Sequence, residues 1–329
     1  MAEPVISVAF PVFNEAENIQ PLYDAVVHAL EPLGLSFELI FVDDGSTDRS
    51  LEIVKGLRQR DPRVEYVSLS RSFGHQRALV AGLRHARGAA VITMDGDLQH
   101  PPSVLPEMIR LWREGYEVVY THKRSNHVRG LRLLQIRFGY YLISKWSGLR
   151  LSFGQSDFRL LDRKVLDVIL AIPESRKFLR GLVQWVGFRQ IGIPYDPAPR
   201  FAGEAKYTFR SLAALAANGV LSFSMVPLRL ALVIGSGVAA ASLLFGVIAL
   251  LLGLGRLAGA ATWLPPSWAL VAVALTLLAG VQLMAIGMVG EYLGRVVEQT
   301  KGRPEFIVRE SSLDTGNVAS ADVARPVHR

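Results

Sequence analysis

The chain has 329 residues, half of them apolar, with a formal net charge of +7 and no cysteine. That length exceeds one average domain, and the lack of thiols excludes disulfides and thiolate metal sites. Combined with long apolar stretches, the positive balance points to anionic lipid headgroups and phosphate-bearing substrates rather than to nucleic acid.

From the N-terminus, short β-branched runs alternate with amphipathic segments. Val5 to Phe10, Phe37 to Val42, Val64 to Leu69, Ala90 to Met94 and Glu117 to Tyr120 read as strands, each followed by a helix candidate. No secretory leader is expected, because Met1 to Pro4 runs directly into the first strand. Asn14 and Glu17 have the spacing of a capping box at the start of the first helix, and Pro32 with Gly34 marks its end. This alternation predicts parallel strands, right-handed crossovers and an open α/β sheet that binds ligands at the carboxyl ends of its strands. The polar residues just beyond the strands are then the candidates: Glu15, Asp43, Asp44, Arg71, Asp95, Asp97 and Lys123. There is neither a GxGxxG after the first strand nor a P-loop, so the usual glycine cradles for phosphate are missing. A metal is the expected substitute.

Two strand ends carry paired acids. Val91 to Pro102 reads VITMDGDLQHPP, in which Asp95 and Asp97 flank a glycine and Gln99 adds an amide oxygen. Hard oxygen donors of this kind suit Mg²⁺ or Mn²⁺, which bind through one or two carboxylates, waters and substrate phosphates. An Asp-Gly-Asp turn without ligand is the alternative. Phe41 to Asp48 reads FVDDGSTD, where Asp48 can cap the next helix and the adjacent Asp43 and Asp44 can accept from a ribose or a base.

Beyond residue 206 the composition changes. Tyr207 to Leu228 is apolar with few charges and reads as interfacial helices, with a packed core helix as the alternative. No charged residue lies between Arg229 and Arg256, nor between Arg256 and Glu291. A helix needs only about 20 apolar residues to span the hydrocarbon, so spans near 230–254 and 268–290 are expected, joined by a hairpin carrying Trp263, Pro265, Pro266 and Trp268. Arg200, Lys206, Arg210 and Arg229 precede the pair and Arg295, Lys301, Arg303 and Arg309 follow it, which predicts that both termini are cytoplasmic. Gly235 to Gly237 and Gly246 to Gly255 permit close helix packing between protomers, hence the expectation of a homo-oligomer. The expected organisation is a cytoplasmic α/β domain over 1–206, interfacial helices over 207–228, a two-helix membrane hairpin over 229–291 and a C-terminal segment over 292–329. From about Ser311 the chain reads as a polar tail.

FPVFNEAEN at Phe10 to Asn18, VDDGSTD at Val42 to Asp48 and MDGDLQHPP at Met94 to Pro102 together resemble family 2 glycosyltransferases of GT-A fold. SDFRLLDRKV at Ser156 to Val165, RFAGEAKY at Arg200 to Tyr207, and the paired spans followed by EYLGR and KGRPEF narrow the resemblance to the polyprenyl-phosphate glycosyltransferases. The resemblance implies an Mg²⁺- or Mn²⁺-dependent transfer of a sugar from a nucleotide-sugar, with UDP-glucose preferred, to undecaprenyl phosphate. GDP-mannose with a dolichol-type acceptor is its alternative. It implies that Pro11, Phe13, Glu15, Val42 and Asp44 line the nucleotide pocket. Asp95, Gly96 and Asp97 would meet the diphosphate and metal, with Gln99 completing the metal site. Lys123, Arg200 and Lys206 would lie near phosphate, and Asp157 near the reacting centre, as base or positioning group. Asp157 could otherwise form a surface salt bridge with Arg159 or Arg163. The basic stretch Lys123, Arg124, Arg129, Arg132 and Arg137 is either a solvated helix face or a recruiter of the acceptor phosphate. A processive synthase would need a QxxRW segment, which LVQWVGF does not supply, and a membrane scaffold would not need the intact acids.

Overall fold

The computed structural model describes residues 4–124, 155–174, 177–197 and 267–313, with scattered positions between 233 and 254. It divides into two units, Met1–Leu215 with Gly302–Arg329, and Ala216–Lys301.

The first unit is built on an eight-stranded sheet. Its strands are β1 (Ile6–Val12), β2 (Phe37–Asp43), β3 (Val64–Leu69), β4 (Ala90–Thr93), β5 (Val118–Lys123), β6 (Gln155–Asp162), β7 (Gln190–Tyr195) and β8 (Val308–Ser311). The helices are α1 (Ala16–Leu30), α2 (Ser50–Arg60), α3 (His75–His85), α4 (Leu105–Arg113), α5 (Arg163–Ala171) and α6 (Leu179–Trp185). The spatial order is β7-β5-β6-β4-β1-β2-β3-β8. The central strands β1 and β2 are buried along their whole length, as strands covered by helices on both faces must be. Alternate β1 residues Ile6, Val8, Phe10 and Val12 share a core with Ile19, Leu22 and Val26 of α1 and with Val54 and Leu57 of α2. Phe10 stacks on Phe41 at 4.8 Å between ring centroids, and both are fully buried, each contributing about 1.5–3 kcal/mol. α3 lies on the opposite face, with Gly82 against Ala9 and Val42.

All five strands expected from the sequence form, and β4-β1-β2-β3 are parallel. The all-parallel expectation fails at two places. β6 runs antiparallel between β4 and β5, and β8 runs antiparallel on the outer edge of β3. The first insertion is what positions the site. An antiparallel strand begins where its parallel neighbours end, so the first residues of β6 lie beside the carboxyl ends of β4 and β5. The second covers an edge that would otherwise present unpaired backbone groups.

Two turn readings resolve differently. Gly34 is left-handed (φ 63) after a turn containing Pro32, as expected. The capping box does not form: Asn14 adopts φ 54 and its side chain accepts from the Thr47 N–H, while the Ala16 N–H is capped by Asp48. A cap from a distant loop replaces the local one and ties the first motif to the second. Within that loop Gly45 has φ +74, and a Cβ there would meet Arg71 C at 2.7 Å.

In the second unit, α7 (Ser267–Thr300) is a single 34-residue helix, longer than the expected 268–290 span. Its segment Leu277–Gly294 is the one stretch among the described residues that is long and apolar enough to cross a membrane by length and composition.

Gly45→Ala combines backbone strain with a backbone clash, so it should lower stability by about 1–3 kcal/mol. Thermal unfolding of the purified chain checks this, and an unchanged midpoint contradicts the packing described.

Candidate active site

The carboxyl ends of β1, β2 and β4 bring the sequence motifs together. Asp95, Gly96 and Asp97 follow β4 in a turn whose Leu98 adopts φ 59, a left-handed conformation that ordinarily costs about 1–3 kcal/mol outside glycine. Packing of Leu98 against the core holds it there, and the Gln99 N–H donates to Asp97 Oδ1 at 3.2 Å. Gly96 sits against β1: a Cβ would come within 3.2 Å of the Pro11 carbonyl, closer than most such contacts.

His100 fixes this turn from behind. Its Nδ1 accepts from the Asp95 N–H at 3.0 Å, its Nε2 lies 2.7 Å from Ser156 Oγ, and its ring stacks on Phe158. Burial pushes the imidazole pKa down despite the nearby Asp95 and Asp97. The neutral ring therefore accepts at Nδ1 and donates from Nε2 to the serine, which links the metal-motif turn to the start of β6.

Asp157, next along β6, is buried at 5% exposure, which excludes the surface salt bridge considered from the sequence. Arg163 turns elsewhere and donates to the Ala86 and Gly88 carbonyls. Arg180 donates from Nε to Asp157 Oδ1 at 2.9 Å and from Nη2 to Oδ2 at 2.7 Å. Arg159 adds a bond to Oδ1 at 3.0 Å, and Gln76 one to Oδ2 at 3.0 Å. Those four donors fill the acceptor sites of the carboxylate. Burial alone would raise its pKa, but Arg180, His75 and Arg159 outweigh it and hold the acid well below the usual carboxylate range. His75 Nε2 stands between the two acids, 3.4 Å from Asp95 Oδ1 and 3.7 Å from Asp157 Oδ2. Burial opposes its charge, yet the contact with Asp157 and the field of Asp95 raise its pKa.

The other predicted residues take distinct places. The Asp44 carboxylate accepts from Ser72 Oγ and from the Phe73 and Gly74 N–H groups, and so fixes the loop that delivers His75 and Gln76 at the start of α3. Val42 is buried against α3 and supports the edge from behind, whereas Phe13 is 37% exposed. The Glu15 N–H donates to Ser50 Oγ. Lys123 ends β5 beside Tyr195 of β7. Arg200, Lys206, Arg129, Arg132 and Arg137 lie outside the described residues, as do the expected interfacial helices.

Among the described residues no group of three or more His, Asp or Glu side chains is arranged to hold a metal. The donors present nevertheless fit Mg²⁺ or Mn²⁺. Asp95 Oδ1 is buried without a hydrogen bond, and two carboxylates one residue apart match an ion that draws its remaining ligands from water and phosphate.

Sequence reasoning missed His75, Gln76, His100 and Arg180. His75 and Gln76 follow β3 and could have been found by the strand-end rule that selected Arg71. Arg180 enters from a helix with no strand-end signal.

Residues 7–170 match the family Glycosyl transferase family 2. An uncharacterised glycosyltransferase of Synechocystis sp. is 37% identical over 310 residues, 93% of this chain and 95% of that one. The SfII prophage-derived bactoprenol glucosyl transferase of Shigella flexneri is 37% identical over 310 residues, 93% of this chain and 98% of that one. A solved structure of glucosyl-3-phosphoglycerate synthase from Mycobacterium tuberculosis, in complex with Mn²⁺, UDP and phosphoglyceric acid, aligns with TM-score 0.47 and 21% identity over 66% of this chain and 76% of that one. The chain is a glycosyltransferase and belongs to family 2, in the group that includes the bactoprenol glucosyl transferases.

Proposed function

We propose that this enzyme transfers glucose from UDP-glucose to undecaprenyl phosphate at the cytoplasmic face of a membrane. The reading is carried by the placement of Asp95 and Asp97 beside a buried Asp157 neutralised by two arginines, in a chain similar over nearly its whole length to bactoprenol glucosyl transferases. In such a transfer negative charge grows on the leaving nucleoside diphosphate, and stabilising it is the main task of the site. A divalent ion bound by Asp95 and Asp97, with Gln99 in support, would supply electrostatic stabilisation there. One carboxylate faces the guanidinium groups of both Arg159 and Arg180, which brings two cations close to the metal motif. Positive charge of this kind suits substrates bearing phosphate on both sides of the reaction. Lys123, Arg200 and Lys206 would add to it, and Pro11, Phe13, Glu15, Val42 and Asp44 would form the wall that receives the nucleotide.

The acceptor's own ionisation supplies the nucleophile. A phosphate monoester has a second pKa of about 6 and is largely dianionic at neutral pH. A general base works best with a pKa near the operating pH, and Asp157 lies far below it with its lone pairs occupied. Asp157 therefore positions Arg180, Arg159 and Gln76 and takes no proton.

Chain parity constrains how the proposed membrane attachment can be made. Residues beyond α7 return to the catalytic sheet as β8, so the chain leaves and re-enters the first unit on one side of any bilayer. If α7 crosses, a second crossing must precede it, and the uncharged stretch from Arg229 to Arg256 provides one. Its described positions are helical, with Val233, Leu244, Val247, Leu251 and Leu254 exposed. The pair then forms a hairpin with both termini cytoplasmic, in accord with the basic residues flanking it.

Asp97→Asn should abolish transfer and weaken UDP-glucose binding in Mn²⁺ while the protein stays folded; wild-type turnover in excess chelator would sink the metal assignment. Asp157→Asn should lower turnover by about 10²-fold, as a misplaced reacting group does, with donor affinity within a few fold and the pH–rate curve unchanged in shape. A mutant whose single-turnover rate climbs steeply with pH would show that Asp157 is the base. Tags at Met1 and after Arg329 should be cytoplasmic and a tag between Gly259 and Ser267 should face the other side; the reverse labelling overturns the topology.

A further inference from the structure

The segment that follows α7 does more than close the sheet edge. Glu305 is buried, and its Oε1 accepts from Lys177 Nζ at 2.8 Å and from Arg84 Nη2 at 3.0 Å. Lys177 is itself buried at 2% side-chain exposure and also donates to the Glu174 carbonyl. Phe306 is buried beneath the Arg84 guanidinium, the Ser70 N–H donates to the Ile307 carbonyl, and β8 then pairs with β3.

The two cations belong to different elements. Arg84 lies near the end of α3, whose first turn carries His75 and Gln76. Lys177 lies just ahead of α6, three residues before Arg180. Gln76 and Arg180 are two of the three residues that hold Asp157. We infer that Glu305 is a positioning residue for the transfer reaction: it pins α3 and the entry to α6 together, and thereby sets Gln76 and Arg180 around Asp157. This rests on the reading of the Asp157 cluster as the reaction centre. Removing the Glu305 charge leaves a buried ammonium without its counter-ion, and such a group draws water or moves outward. Only Phe178 separates Lys177 from the start of α6, so that movement is passed to Arg180.

The test uses the full-length chain in lipid nanodiscs, with kcat and KM for UDP-glucose measured at saturating undecaprenyl phosphate for wild type, Glu305→Gln, Arg180→Lys, the double variant and Asp157→Asn. Glu305→Gln should lower kcat about tenfold with KM within about threefold. In combination with Arg180→Lys the losses should be markedly less than multiplicative, because Glu305 acts through Arg180. A wild-type kcat in Glu305→Gln, or losses that simply multiply, overturns the inference. If Glu305→Gln does not fold, Glu305→Asp keeps the charge but shortens its reach between Lys177 and Arg84, and should still lower kcat; wild-type turnover in that folded variant overturns the inference too. Full activity in Asp157→Asn would instead refute the assignment of the reaction centre.

Discussion

The arrangement of this enzyme depends on one buried carboxylate and the cations that neutralise it. A single ionised acid inside a protein is strongly unfavourable unless paired and fully hydrogen-bonded. Asp157 meets both conditions, with donors from β6, α3 and α6 converging on it. The pairing fixes three elements around the metal motif, and it keeps the acid in its charged form. A group held this firmly in its charged form is a scaffold for cations, and on the proposed reading those cations serve a transfer between phosphate-bearing substrates.

That constellation exists because β6 runs against its neighbours. Were it parallel, its first residues would lie at the far edge of the sheet, away from the ends of β1, β2 and β4. The five strands, the metal motif and the loop at Asp43 to Asp48 were legible in the sequence, because apolar β-branched runs ending in acids and glycine leave a local signature. The reversal of β6 was not, since direction is decided by which edges are free once the parallel core has formed. Asn14 shows the same limit: its spacing to Glu17 fits a capping box, but Asp48, distant in sequence, reaches the helix start first. Arg180 and the pairing of Glu305 were not legible for a related reason, as they come from tertiary contacts, across more than a hundred residues in the case of Lys177 and Glu305.

The route of the chain also ties the proposed membrane anchor to catalysis. The end of α7 leads within a few residues to Glu305 and Phe306, both buried in the catalytic unit, and then to the edge strand. On this reading the lipid-facing part is not a detachable tether. It is followed directly by side chains buried in the catalytic unit, which would suit the proposed transfer to a lipid acceptor.

The most direct measurement is product analysis with the purified full-length chain, UDP-glucose, undecaprenyl phosphate and Mg²⁺ or Mn²⁺, followed by mass spectrometry of the lipid fraction. The proposed activity requires a lipid heavier by one hexose, formed in step with UDP release and lost in excess chelator. Release of UDP with no hexose on the lipid, or transfer of the hexose only to a soluble acceptor, would contradict it.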